Sequence, residues 1–366
     1  GEPLADSIDG LMIVADPLMT AKTAPQLAKF LSNRLGIDYF SALKQLRGGD
    51  GSRFEYVARR IPATIATEAV QEAKDLGYKG LSTRRDPIRE YPGGDLAANI
   101  VGFVGTDESL GGLERTFDKQ LAGKDGAATY DVASGSGSRI PLGQSTTVAP
   151  VNGRDLKTTI DRDVQSYTNR VLADAVTSTS SESGVAIAMD TRTGEVLALS
   201  DYPTFDPNQP AQSPKADRGS RALSDVYEPG SVEKVLTLSA LIDAGKATNR
   251  TPLTVPNQLH RQDRVIHDWF DHPTKRWTLA GVIAQSSNIG TVLAADRFGA
   301  GQLRDYLVKF GLGQRTGIGL SGKSPGILPS AAQWNSQIQD RVDFGQSVSV
   351  NALQMITAVN AVANGG

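Results

Sequence analysis

Apolar positions recur along this chain in two rhythms. Gly184–Met189 (GVAIAM) and Glu195–Leu199 (EVLAL) are short β-type runs, and the Asp190-Thr191-Arg192-Thr193-Gly194 between them predicts a hairpin. Leu156–Ile160 (LKTTI) alternates like a further strand. The helical rhythm takes over at Asp161–Val176, with Asp161 as N-cap and Val164, Tyr167, Val171, Leu172 and Val176 along one side. Val232–Ala244 predicts a second helix, stopped by Gly245, whose buried side is Val232, Val235, Leu236, Leu238, Leu241 and Ile242. Thr278–Ala284 and Ile289–Ala295 predict two more, with a break at Gln285-Ser286-Ser287-Asn288. Before about residue 150 the pattern is interrupted by Gly93-Gly94, by Gly111-Gly112 and by Ala133-Ser134-Gly135-Ser136-Gly137-Ser138. Ala66–Leu76, ending at Gly77, is an ordinary amphipathic helix there. The greater regularity after Val151-Asn152-Gly153 predicts two domains, 1–152 and 153–366. Tyr202–Ser220 holds Pro203, Pro207, Pro210 and Pro214 and is predicted to be an irregular loop.

Composition narrows the function classes. In 366 residues, 38 Lys+Arg against 40 Asp+Glu leave a net charge of −2, without the basic excess of a general nucleic-acid binder. The absence of Cys excludes a disulfide framework, a zinc-thiolate site and a Cys nucleophile. Three histidines, His260, His267 and His272, make a multi-His metal site a poor expectation, and no cofactor is expected. No apolar run approaches the ~18 residues of a membrane span. The chain opens on Gly1-Glu2-Pro3-Leu4, which is compatible with a removed leader or anchor.

The chemistry concentrates at Glu228-Pro229-Gly230-Ser231-Val232-Glu233-Lys234. Pro-Gly gives a sharp entry to the helix and leaves Ser231 at its first turn, where unpaired N–H groups and the dipole favour developing negative charge. Ser231 and Lys234 are three apart and share a face. A desolvated lysine beside a serine is a nucleophile–base pair that needs no histidine. Ser286 and Asn288, at the predicted helix break, can relay a proton and hold an amide. Each motif alone is weak: Ser41-Ala42-Leu43-Lys44 repeats the first and Ser349-Val350-Asn351 the second. Gly317–Ser324 matches a P-loop by letters, but Pro325-Gly326 follows at once and denies it a helix. Arg192-Thr193-Gly194 and Arg315-Thr316-Gly317 read as turns, and His267–His272 as a loop near the cleft.

Order and company give these motifs their meaning. Ser-x-x-Lys followed by Ser-x-Asn is the arrangement of penicillin-binding proteins, and the chain resembles a class B penicillin-binding protein of the division (septal) type. Asp190–Ala198 looks like the family's opening hairpin, and Phe310-Gly311-Leu312-Gly313, Phe344-Gly345-Gln346 and Ala363-Asn364-Gly365-Gly366 follow in the family's order. Arg89-Glu90-Tyr91-Pro92, Gly102-Phe103-Val104-Gly105 and Gly112-Leu113-Glu114 resemble its non-catalytic pedestal. The resemblance implies an α+β fold, an antiparallel sheet flanked by helices and preceded by an elongated mixed pedestal. It implies Ser231 as acylated nucleophile, Lys234 as base, Ser286 as proton relay to the departing D-alanine, and Asn288 as holder of Lys234 and the substrate amide. The implied reaction is D,D-transpeptidation of peptidoglycan stem peptides, inhibited by β-lactams. It also implies a membrane anchor, a catalytic domain on the outer face of the cytoplasmic membrane, and a membrane glycosyltransferase and division proteins as partners.

Two rival readings keep the same serine. A serine β-lactamase needs a base for hydrolytic water, and no Glu motif for one occurs between Asn288 and Gly366. A penicillin-binding sensor or scaffold would acylate without turnover. The family's third motif, Lys-Thr-Gly on an edge strand, does not occur in these residues. Since one hairpin is marginal as a sheet, the expectation is that further strands, the first bearing that motif, follow Gly366.

Overall fold

Gly10–Ala15 (GLMIVA) is apolar on both of its faces and takes the centre of a three-stranded antiparallel sheet, between Glu55–Pro62 and Leu81–Arg85. Helices Ala24–Leu35, Tyr39–Arg47 and Ala63–Asp75 bury Leu27, Leu31, Leu46, Ala66 and Ala69 around it. The helix predicted at Ala66–Leu76 thus starts three residues earlier and stops at Gly77, which adopts φ +87°. Ser41 and Lys44 lie exposed on Tyr39–Arg47, where Asp38 Oδ1 caps the helix by accepting from the Ser41 N–H at 2.7 Å. That Ser-x-x-Lys match is a surface helix turn.

This computed structural model describes residues 2–49, 51–106, 108–131, 140, 143–262, 264–320 and 324–366. They fall into two compact units, one up to residue 94 and one from residue 95 on. Ala133–Ser138 and the middle of the P-loop match (321–323) lie outside the described residues; Ser324-Pro325-Gly326, which follow, form no helix.

In the second unit, Gly184–Met189 pairs antiparallel with Val196–Tyr202, and Gly194 turns the hairpin at φ +74°. Asp190 Oδ1 accepts from the Thr193 and Arg192 N–H groups in that turn, which holds its carboxyl below the usual carboxylate range. Helix Arg162–Ser178 packs on Val196–Tyr202, and Ala352–Ala363 on Gly184–Met189. Asp161 caps the first of these helices, accepting from the N–H groups of Asp163 and Val164.

Two expectations about this region are corrected. Tyr167 and Val171 are exposed, and the helix instead buries Gln165 with Leu172 and Val176. The Gln165 amide donates to Leu199 O and Ser200 Oγ and accepts from the Leu199 N–H, so a polar side chain does the docking that apolar ones were expected to do. Leu156–Ile160 joins no ladder among the described residues. Its contacts with the neighbouring strand are single bonds, Thr159 Oγ1 to Val196 O and Asp161 N to Leu197 O.

Tyr202–Ser220 is irregular as expected, with only short 3-10 turns at Pro210–Gln212 and Lys215–Arg218. Buried Asn99 pins it, donating to Asp217 O and Gly219 O at 2.7 Å and accepting from Thr204 Oγ1 at 2.8 Å. The largest core surrounds helix Glu233–Asp243, where Leu236, Leu238 and Leu241 meet Ile289, Val292, Leu303, Leu307, Val342 and Val350. Among the described residues no helix is long and apolar enough to cross a membrane.

Candidate active site

Ser231 lies in a 3-10 turn, Gly230–Val232, that runs directly into helix Glu233–Asp243. The turn is clamped from the segment after helix Ser336–Val342. The Gly230 N–H donates to Gly345 O at 3.0 Å, and the Ser347 N–H donates to Glu228 Oε1 at 2.8 Å. Gly345 has φ +86°, and a Cβ there would stand 2.1 Å from Gly230 O, so only glycine lets the two backbones meet. Ser231 itself is exposed. Neither its hydroxyl nor its backbone N–H has a hydrogen-bond partner among the described residues. Both are open to a ligand.

One turn on, Lys234 is 1 % exposed. Its Nζ donates to Ser286 O at 2.5 Å and to Ser286 Oγ at 3.1 Å. Burial lowers the Lys234 amine from 10.5 to about 8, against the pull of the Asp268 carboxylate, which raises it. Near neutrality a usable fraction of this lysine is therefore the free base.

Ser286 stands between helices Leu279–Ala284 and Asn288–Ala295 with φ +52°, a conformation uncommon for a residue with a side chain. Ser287 caps the second helix, its Oγ accepting from the Gly290 N–H at 2.8 Å. The predicted break is present, and it brings Ser286 to Lys234. Asn288 does not join them: its Nδ2 donates to His267 O at 2.9 Å, and it makes no hydrogen bond to Lys234 among the described residues. The left-handed turn at Ser286 delivers that residue's carbonyl and hydroxyl to the lysine, while the 267–272 segment engages the asparagine. By contrast, the second Ser-x-Asn is a helix cap, with Asn351 and Gln354 forming a capping box. Among the described residues no cluster of His, Cys, Asp and Glu fits a metal ion.

The sequence family described as the penicillin-binding protein transpeptidase domain matches residues 184–366, and the penicillin-binding protein dimerisation domain matches 1–158. The chain belongs to the class B penicillin-binding proteins. Its similarity to Penicillin-binding protein PbpB of Mycolicibacterium smegmatis is 37% identity over 346 residues, 93% of this chain and 52% of the relative. To the peptidoglycan D,D-transpeptidase FtsI of Escherichia coli it is 30% identical over 372 residues, all of this chain and 61% of that one. The crystal structure of penicillin-binding protein 3 from Mycobacterium tuberculosis in complex with ampicillin superposes with a TM-score of 0.69 at 36% identity, covering 77% of this chain and 59% of that one. The chain thus spans about half the length of the first of these relatives. Ser231, Lys234, Ser286 and Asn288 all lie within the transpeptidase match, and the α+β fold is that of the family.

This penicillin-binding protein also buries groups that the apolar pattern did not foresee. Val232 and Ile242, expected inside, are exposed, while Glu233, Lys234 and Thr237 are buried. Thr237 Oγ1 donates to Asp343 O, and neither Glu233 oxygen has a hydrogen-bond partner among the described residues. Burial pushes the Glu233 carboxyl from 4.5 up to about 8. Asp343 is raised as well, by burial first and then by Asp340 and Asp296. Between about 4.5 and about 8 folding therefore takes up a proton at Glu233, and stability falls as pH rises through that window. Glu233→Gln should remove the Glu233 share of this slope, leaving that of Asp343, and melt several degrees above the parent at pH 8. Thermal unfolding of both proteins across that window checks it; parallel curves would show that Glu233 is not protonated in the fold.

Proposed function

We propose that this protein is a serine D,D-transpeptidase that cross-links peptidoglycan stem peptides, in septal wall synthesis, and is acylated by β-lactams. The observation that carries the reading is a buried lysine, held near pKa 8, whose Nζ meets Ser286 one turn from an exposed serine with a free hydroxyl and a free N–H.

In this mechanism neutral Lys234 takes the proton of Ser231 as Oγ attacks the penultimate D-alanine carbonyl. The Ser231 N–H supplies one donor to the oxyanion. The proton passes by way of Ser286 to the departing D-alanine amine, and the C–N bond breaks to leave an acyl-enzyme. The amine of a neighbouring stem then attacks this ester. Its proton returns along the same relay, the new amide forms and Ser231 is released. Asn288, its Nδ2 occupied by His267 O, retains Oδ1 to accept from the substrate amide. A β-lactam opens on the same serine but leaves no departing amine, so its ester persists.

Residues 1–152 serve as the pedestal in this reading, supported by the dimerisation-domain match to 1–158. The catalytic part would work on the outer face of the cytoplasmic membrane beside a membrane glycosyltransferase and division proteins, as the resemblance to the family implies. Fluorescent penicillin should label the full-length protein, with the adduct mapped to Ser231 by mass spectrometry, and a D-Ala-D-Ala donor should exchange its terminal residue for an added D-amino acid. Labelling without exchange would make the protein a sensor or scaffold. Rapid hydrolysis of the penicillin would make it a β-lactamase.

A further inference from the structure

The sequence offered no role for Asp268 and His272 beyond a loop, yet the fold buries both side chains beside the second motif, at 0 % and 2 % exposure. Four hydrogen bonds tie the 267–272 segment to the turn that carries Ser286. Asp268 Oδ2 accepts from Ser287 Oγ at 2.7 Å, and Oδ1 accepts from the Ile289 N–H at 3.0 Å. Asn288 donates to His267 O, and Trp269 Nε1 donates to Gln285 O at 2.9 Å. Residues on both sides of Ser286 are thus held from one loop.

His272 holds Asp268 in turn. Its Nε2 lies 3.0 Å from Asp268 Oδ2 and its Nδ1 lies 2.8 Å from Pro273 O. Both ring nitrogens face acceptors. The ring is fixed further by Phe270 and Trp277, with centroids 5.3 and 5.1 Å away, and the His272 N–H donates to Asn257 Oδ1.

We propose that Asp268, clamped by His272, is the positioning residue of the Ser231–Lys234–Ser286 site: its carboxylate holds the Ser287–Ile289 turn so that Ser286 meets Lys234, and it supplies the negative charge opposite the lysine. The geometry explains why Ser286 keeps a left-handed backbone, because such a conformation persists only where its surroundings over-determine it. The charge balances the burial of the lysine. Burial lowers the Lys234 amine, and Asp268 opposes that lowering and so sets the pH at which the free base appears. Among the described residues the lysine also donates to Ser286 O and Oγ, and its neighbour in sequence, Glu233, is pushed up to about 8 by burial. Asp268 is the carboxylate that acts on Lys234.

This inference rests on the proposed transpeptidase chemistry, but it can be read without turnover. In full-length protein carrying 13C-labelled lysine, the Lys234 ε-carbon, identified as the resonance lost in Lys234→Arg, should titrate near pH 8. In Asp268→Asn the midpoint should fall by about one unit. Penicillin acylation should show its acid limb moving down with it. Ser287→Ala keeps the charge and removes one tie, so it should slow acylation about tenfold while leaving the midpoint in place. If Asp268→Asn does not fold, Asp268→Glu replaces it: the retained charge should keep the midpoint near that of the parent while displaced oxygens slow acylation. An unmoved midpoint in Asp268→Asn, a displaced one in Asp268→Glu, or unchanged acylation in Ser287→Ala would each overturn the assignment. A parent protein that titrates as described but takes no penicillin would instead overturn the transpeptidase reading and leave Asp268 as the partner of the lysine.

Discussion

Ser231→Ala is expected to abolish covalent penicillin labelling, a loss of at least about 10⁴-fold in acylation rate, because no ester can form without the hydroxyl. The fold should survive. Ser231 is exposed, and its hydroxyl has no partner among the described residues, so the substitution removes no buried contact. Surface changes of that kind are usually within about 0.5 kcal/mol. Thermal unfolding and labelling measured on one preparation separate the two effects. Ser41→Ala is the matched control, since Ser41 lies exposed on helix Tyr39–Arg47 with its N–H capped by Asp38. Labelling that outlived Ser231→Ala would place the nucleophile elsewhere.

Lys234→Arg should cost roughly 10²–10⁴-fold in acylation, the usual span for a general base. A guanidinium keeps its proton at any working pH, so positive charge and reach are preserved while basicity is lost. With the parent lysine at about 8, the acylation rate of the parent should rise with pH through that value and level off above it, since the free amine is the competent form. In Lys234→Arg this limb should vanish along with most of the rate. The variant will also lose stability, because a bulkier cation must fit a site where the lysine is 1 % exposed. The pH profile distinguishes a lost base from a loosened fold, for loosening alone would lower the rate and leave the limb near pH 8.

Much of this protein was legible in its residues. Helix Glu233–Asp243, its Pro-Gly entry and its stop at Gly245 follow from local chemistry: a fixed proline φ, glycines at φ +55° and +67°, and apolar spacing between them. The hairpin and the break around Ser286 are local in the same way. The order of the motifs carried the family, because linear order is a property of the chain alone.

What the tertiary structure decided was which polar groups went inside. Gln165, Glu233, Lys234 and Asp268 look like solvent-facing residues in a sequence, since burying any of them is costly in isolation. Gln165, Lys234 and Asp268 are buried because something distant in the chain meets each of them: Leu199 and Ser200 bond Gln165, Ser286 receives Lys234, and Ser287 bonds Asp268. Val232, Ile242, Tyr167 and Val171 err in the opposite direction for the same reason, as periodicity marks an apolar face but not where the neighbouring element ends. The basicity of Lys234 and the place of Asp268 beside it depend on such long-range contacts, and so only the folded chain determines them.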